Sequence, residues 1–276
     1  MGVYPRISLR IPQGWALVLG KIGTLPRCAR KFNPARLVDS RSGVHKVNPV
    51  IILARNNIAL TKRCIQSLDQ QDIPNKPYIF DNGSTDGTWE WMQDTFGFMG
   101  TRCMENHGVS RGWNFCLRTF FDGIFLADHC LVVGNDTVLP PWFYRELLSY
   151  DVPFVTGVAV DKMEQLVVPT GKPPLTENPD FSAFLIRREC WEKVGPFDQR
   201  MKHYCSDCDF HIRAHRMGMP LYKASVEYYH ERSSTLRLAP PEEQREIQEQ
   251  ANKDREVFKS LYGCLPGSQE YEAIFR

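Results

Sequence analysis

Phe80-Asp81-Asn82-Gly83-Ser84-Thr85-Asp86-Gly87-Thr88 is the stretch that decides the fold. Tyr78-Ile79-Phe80 reads as a buried strand and Thr88 to Phe96 as a helix, so the polar residues between them form a strand-to-helix turn. Asn-Gly and Asp-Gly supply the positive-φ positions that such a turn needs. The same alternation lies upstream. Pro49-Val-Ile-Ile-Leu53 is a short β-branched run whose proline suits the start of a strand, and Leu60, Cys64 and Leu68 then recur at helical spacing. Pro74 and Pro77 close that unit. Strand, helix, strand, helix at this spacing predicts a parallel α/β sheet, which binds ligands at the carboxyl ends of its strands. Asp81 stands at such an end and can accept hydrogen bonds from a ribose or a base.

Downstream, strands are expected at Gly123 to Ala127, Cys130 to Val133 and Phe154 to Val160, with a helix near Trp142 to Ser149. Residues 169–180 hold four Pro and one Gly and read as a loop. Glu242 to Tyr262 is charged and helical in character, and nothing in it signals chemistry. A second polar turn, Gly134-Asn135-Asp136-Thr137, follows Leu131-Val132-Val133 and would bring Asp136 to the same edge as Asp81. Either Asp alone reads as a simple turn cap. Two delivered to one edge point to a ligand.

A length of 276 residues allows one large domain or two small ones. With 42% hydrophobic, 12% aromatic and 24% charged residues, the composition excludes wholesale disorder, collagen and coiled coil. The net charge of +2 conceals a division: residues 1–46 hold nine Lys/Arg against Asp39 alone, a basic arm of +8 ahead of an acidic body of −6. No apolar run approaches the roughly 18 to 20 residues that span a bilayer, and Trp15 to Leu19 is too short even for a secretory signal. Nine scattered Cys read as reduced thiols. The sequons Asn82-Gly83-Ser84 and Asn135-Asp136-Thr137 fall inside the candidate site, where a glycan would be disabling. Both features favour a cytoplasmic location.

The order Pro49-Val-Ile-Ile-Leu-Ala-Arg-Asn56, Asp81-Asn-Gly-Ser-Thr-Asp-Gly-Thr88, Glu105-Asn-His-Gly-Val-Ser-Arg-Gly-Trp-Asn114, Asn135-Asp136-Thr137, Phe184-Leu-Ile-Arg-Arg188, Val194-Gly-Pro-Phe-Asp198, Asp207-Cys-Asp209 and His230 resembles glycosyltransferase family 2. The resemblance covers about residues 48–235 and implies the GT-A fold, a Rossmann-like, mostly parallel sheet flanked by helices. On that reading residues 1–46 are the basic arm, 47–236 the glycosyltransferase domain and 237–276 a charged helical extension. The family implies a nucleotide-sugar donor such as a UDP-sugar, a divalent metal (Mn or Mg), an acceptor hydroxyl, and usually inversion. Asp136 matches the last Asp of the family's metal triplet, and His230 a late His that completes many such sites. Asn56, Asp81, Gly108, Arg111, Asn114 and Asn135 match donor contacts, the middle four holding or lining the nucleotide, with Gly108, Arg111 and Asn114 on a neighbouring loop. Asp207 matches the catalytic base. Two positions depart from the pattern: Gly134 where the triplet generally opens on Asp or Asn, and Ser206 where a Glu usually precedes the base. The second loss should leave Asp207 less basic, since a neighbouring carboxylate raises a carboxyl pKa. Asp209 is read as a cap for a helix from Phe210 to Met217, with a reserve role as base.

Cys205, Cys208, His211 and His215 have a zinc-like spacing, but on one helix their ends would stand about 15 Å apart, so they read as a helix packing its thiols inward. Trp89, Trp91, Phe96 and Phe98 read as core, whereas Trp142, just past the metal turn, can stack on a sugar ring. The arm suits a polyanion, either a nucleic acid carrying hydroxylated bases or an anionic membrane surface presenting a lipid-linked sugar, or else wraps the acidic body. Two rival functions stay open: a binding protein of glycosyltransferase shape with eroded catalysis, and a nucleotidyltransferase of the same fold.

Overall fold

The computed structural model describes residues 15–16, 48–96, 100–123, 127–232 and 234–276. In chain order the elements are β1 (Trp15–Ala16), β2 (Asn48–Ala54), α1 (Ile58–Asp69), β3 (Asn75–Asn82), α2 (Thr88–Phe96), β4 (Gly100–Cys103), α3 (Val109–Phe121), β5 (His129–Gly134), β6 (Thr137–Val138), α4 (Phe143–Leu148) and β7 (Phe154–Val160). They continue as β8 (Leu175–Thr176), β9 (Ala183–Arg187), α5 (Arg188–Val194), α6 (Ser206–Arg216), β10 (Tyr222–His230), α7 (Ser234–Leu238), α8 (Pro241–Tyr262) and α9 (Gln269–Ala273). The strands form one sheet in the order β1-β4-β3-β2-β5-β9-β7-β10-β6, with β8 added on β10. From β4 to β5 neighbours run parallel, β9 lies antiparallel between β5 and β7, and β10 is parallel to β7.

The apolar runs of the central strands are explained by a sheet covered on both faces. Along β2, Ile51 enters one core with Phe80 and Val132, while Val50 and Ile52 enter the opposite core with Ile79 and Leu131. A third cluster of Met201, Cys205, Ile212, Phe258, Cys264 and Tyr271 fastens α8 and α9 to the end of α6. The zinc-like stripe is absorbed there: Cys205 is buried in that cluster, Cys208 packs against it, and His211 stacks on Phe275 with ring centroids 4.2 Å apart. No cluster of three or more metal-ligating side chains occurs among the described residues. Nor is any described helix long and apolar enough to cross a membrane.

Several sequence expectations shift. Pro77 lies inside β3, opposite Val50, rather than closing the unit before it. The strand expected at 123–127 has 124–126 outside the described residues, and neither Gly123 nor Ala127 is in a strand. The stretch 109–121, read as loop around Arg111 and Asn114, is helix α3. The loop at 169–180 contributes the two-residue strand β8. Helix α6 begins at Ser206, so Asp209 lies in its first turn instead of ahead of it, where it bonds Arg213 and the Tyr262 hydroxyl. The basic arm and the Trp15 to Leu19 cluster lie outside the described residues except for Trp15 and Ala16, which pair with Cys103 and Arg102 of β4. Trp89 is core, and Trp142 packs against the same core instead of lining the cavity described below.

Candidate active site

The carboxyl ends of β2, β3 and β5 open into a cavity of about 390 Å³. Arg55, Asn82, Asn135 and Asp136 line it from these strand ends, and Asp180, His203, Asp207 and His230 line it from the later half of the chain. Asp136 and His230 meet because β6 pairs antiparallel with β10, placing Thr137 opposite His230. The Asp136 Oδ2 stands 3.5 Å from His230 Nε2 and accepts a 2.8 Å hydrogen bond from the Ser234 hydroxyl. His230 Nδ1 is buried with no hydrogen-bond partner, so no competing bond holds the ring. A carboxylate oxygen and an imidazole nitrogen at one cavity wall fit a divalent ion that takes its other ligands from phosphate oxygens and water.

Gly134 has a specific consequence. A Cβ at this position would lie 2.7 Å from Asp136 Oδ1, so the carboxylate leans into the space that the missing side chain leaves.

Asp207 sits in the first turn of α6, where its Oδ1 accepts the Cys208 N–H at 2.9 Å. Burial pushes its carboxyl above the usual carboxylate range, and Asp180 across the cavity adds like-charge repulsion. Burial and Asp180 thus raise Asp207 even though position 206 supplies no neighbouring carboxylate. Ser206 is used otherwise. It is buried, with its hydroxyl 2.7 Å from that of Ser110, joining α6 to α3.

The other expected residues separate into cavity wall and support. Asn135 lines the cavity while its Nδ2 donates to the Asn56 carbonyl and the Thr61 hydroxyl, both at 2.9 Å. Asn56, at φ 52, lies behind the wall and bonds both Ser84 and Thr85, tying the β2 turn to the β3 turn. Asp81 is fully buried beneath the turn, accepting the Ser84 N–H at 3.2 Å with Arg102 Nε 3.4 Å from its Oδ2. Its burial raises the carboxyl pKa, and it does not line the cavity. Gly108, at φ 87, caps α3 where a Cβ would come within 2.4 Å of the Lys202 carbonyl. Asn114 is turned into the protein, exchanging two 2.8 Å bonds with the Phe197 backbone, so it holds the 197 loop rather than the cavity. Arg111, on α3, is also absent from the wall.

Sequence reasoning missed Arg55, Asp180, His203 and Ser234. Arg55 Nη1 donates to the Gly83 carbonyl at 2.7 Å, and Nη2 meets Glu243 of α8 at 2.6 Å. His203 is driven down to about 4 by burial and by Lys202, so it is neutral at physiological pH. Its place next to the base on a polar loop was the available signal. Ser234 gave none, being near Asp136 only in space.

Against this geometry, no curated protein matches the sequence. Solved structures do. A fragment of S. aureus TarS is 14% identical, with 83% of this chain and 77% of that one covered and a TM-score of 0.50. Glucosyl-3-phosphoglycerate synthase from Mycobacterium tuberculosis, in complex with Mn2+, uridine-diphosphate and glucosyl-3-phosphoglycerate, is 16% identical over 80% of this chain and 81% of that one, at TM-score 0.52. GalNAc-T7 with UDP, GalNAc and Mn2+ is 12% identical over 67% of this chain and 43% of that one, at TM-score 0.53. Identities this low establish a shared fold. Residues 50–158, which build the sheet edge bearing Asn82, Asn135 and Asp136, match the family model described as Glycosyl transferase family 2. The chain therefore carries a match to glycosyl transferase family 2 at residues 50–158, within the GT-A fold that it shares with these glycosyltransferases.

Proposed function

We propose that the cavity takes a nucleoside diphosphate sugar, and that Asp207 removes the proton from an acceptor hydroxyl as it attacks the sugar in a single inverting displacement. The observation that carries this reading is the convergence of Asp136, His230 and Asp207 on one cavity at the carboxyl edge of the sheet. Asp136 and His230 would hold a divalent ion, which when bound neutralises charge on the departing diphosphate. Asn82, Asn135 and Arg55 stand on the strand ends where the nucleotide half would lie. Asp207 would face the acceptor. A half-buried carboxylate whose pKa is raised by partial desolvation is a stronger base than a fully exposed one.

A thermal-shift panel of nucleotide-sugars with and without Mn tests the donor and metal together. A stabilisation specific to one nucleotide, dependent on Mn and lost in Asp136→Ala, is the expected result. Absence of any donor-specific shift would sink the reading. Donor hydrolysis releasing nucleoside diphosphate separates a live enzyme from a binding protein, and pyrophosphate release would indicate nucleotidyl transfer instead.

The acceptor reading rests on charge. The +8 arm against a −6 body suits a polyanionic acceptor, either DNA with hydroxylated bases or a lipid-linked sugar at an anionic surface. A gel shift that weakens steeply with salt and needs no donor would support DNA. The described cysteines are all free thiols, which supports a reducing, cytoplasmic setting.

A further inference from the structure

Helix α8 lies beyond the stretch that matches the family model, and its sequence shows only charge. Yet one stripe of it faces the cavity. Glu243 holds Arg55, Ile247 lines the cavity wall, Gln250 donates to Asp254, and Asp254 holds the loop at 202–204. These positions are spaced four, three and four apart, as one face of a helix requires.

Asp254 is completely buried. Its Oδ1 accepts the Lys202 N–H at 2.9 Å, its Oδ2 accepts those of His203 and Tyr204 at 2.8 and 2.9 Å, and Gln250 Nε2 completes the set at 2.8 Å. The loop so gripped is held from its other side by α3. The Lys202 carbonyl accepts the Val109 N–H at 2.8 Å, and the Met201 carbonyl accepts the Ser110 hydroxyl at 2.5 Å. His203 and Tyr204 of this loop line the cavity, and the chain then passes through Cys205, in the left-handed region at φ 67, straight into the first turn of α6 and Asp207. A carboxylate bonded to consecutive backbone N–H groups fixes their orientation more firmly than a neutral acceptor does.

We infer that Asp254 is a positioning residue: its carboxylate locks residues 202–204 and so sets where His203, Tyr204 and Asp207 stand in the cavity. The inference rests on the proposed role of Asp207 for its kinetic consequence, but its structural claim does not.

The test uses the full-length chain carrying Asp254→Asn, which is close to isosteric but replaces one acceptor oxygen with a donor, and Asp254→Glu, which keeps the charge. Amide hydrogen exchange is read first. In Asp254→Asn, protection of the 202–204 amides should fall at least 100-fold while the β2 and β5 amides keep theirs. Unchanged protection at 202–204 would overturn the inference. So would loss of protection throughout the sheet, since the residue would then be serving the global fold. On the donor and acceptor found for the wild type, kcat should fall at least 30-fold with the donor KM within about threefold, and Asp254→Glu should recover part of kcat. Unaltered kcat in a variant whose loop has lost protection would overturn the positioning role. A wild type inactive on every nucleotide-sugar would remove the proposed function while leaving the exchange result to decide the structural claim.

Discussion

At Ser206 a hydroxyl stands where the family pattern has a carboxylate, and its surroundings account for it. The position is buried against Ser110, so a charge there would be stranded without a partner. Ser206→Glu is expected to cost on the order of 3 kcal/mol in denaturant unfolding, and it should not raise activity. Asp207 itself carries two linked expectations. Asp207→Asn should lower kcat by about 10² to 10⁴ while leaving nucleotide binding intact by calorimetry; equal turnover would remove Asp207 from the mechanism. The same variant should melt higher than wild type at pH 7. Burial raises this carboxyl above its unfolded value, so its contribution to stability is complete at low pH and is lost as pH rises through the folded pKa. The gain from Asn should therefore vanish in acid, with each kcal/mol relieved at neutral pH worth about 2 to 4 °C in a domain of this size.

Among the elements, α3 differs most from its sequence reading. Its first residues, Val109-Ser-Arg-Gly112, look like loop, and the Asn in the middle looks like a ligand. The helix forms because Trp113, Cys116, Leu117, Phe120 and Phe121 bury one face in the core, where tertiary packing outweighs local propensity. Asn114 then serves the element: both of its bonds go to Phe197. Asn114→Leu should destabilise by about 2 to 4 kcal/mol, as two buried backbone groups lose their partner, with the nucleotide Kd changed less than twofold. A selective loss of nucleotide affinity would instead restore Asn114 to the donor site. Gly108 starts the same helix under two constraints, a positive φ and the nearby Lys202 carbonyl. Gly108→Ala should cost about 2 kcal/mol or more and should reduce turnover, because it pushes on the loop that leads to Asp207.

For the whole molecule, charge and closure are the governing features. A chain of residues 47–276 should keep donor hydrolysis, since the described cavity is built entirely from that part, and should lose any salt-sensitive affinity for a polyanion. Retained affinity in the truncated chain would acquit the arm. The strand-turn-helix order, the two polar turns and the motif order were legible in sequence because each is written in contiguous residues: apolar alternation, Asn-Gly and Asp-Gly turns, and carboxylates at strand tips. The sequence by itself therefore determined the fold class and the sheet edge that carries the cavity, and it singled out Asp136, Asp207 and His230, all of which line that cavity. Only the tertiary structure decided that Asp136 and His230 touch, through the pairing of β6 with β10, and that Asp180 approaches Asp207. It alone turned Asp81 and Asn114 inward, and brought Arg55, Ser234 and Asp254 to the cavity and its loop. Those relations join residues up to 188 positions apart through burial and hydrogen bonding, which no local periodicity encodes.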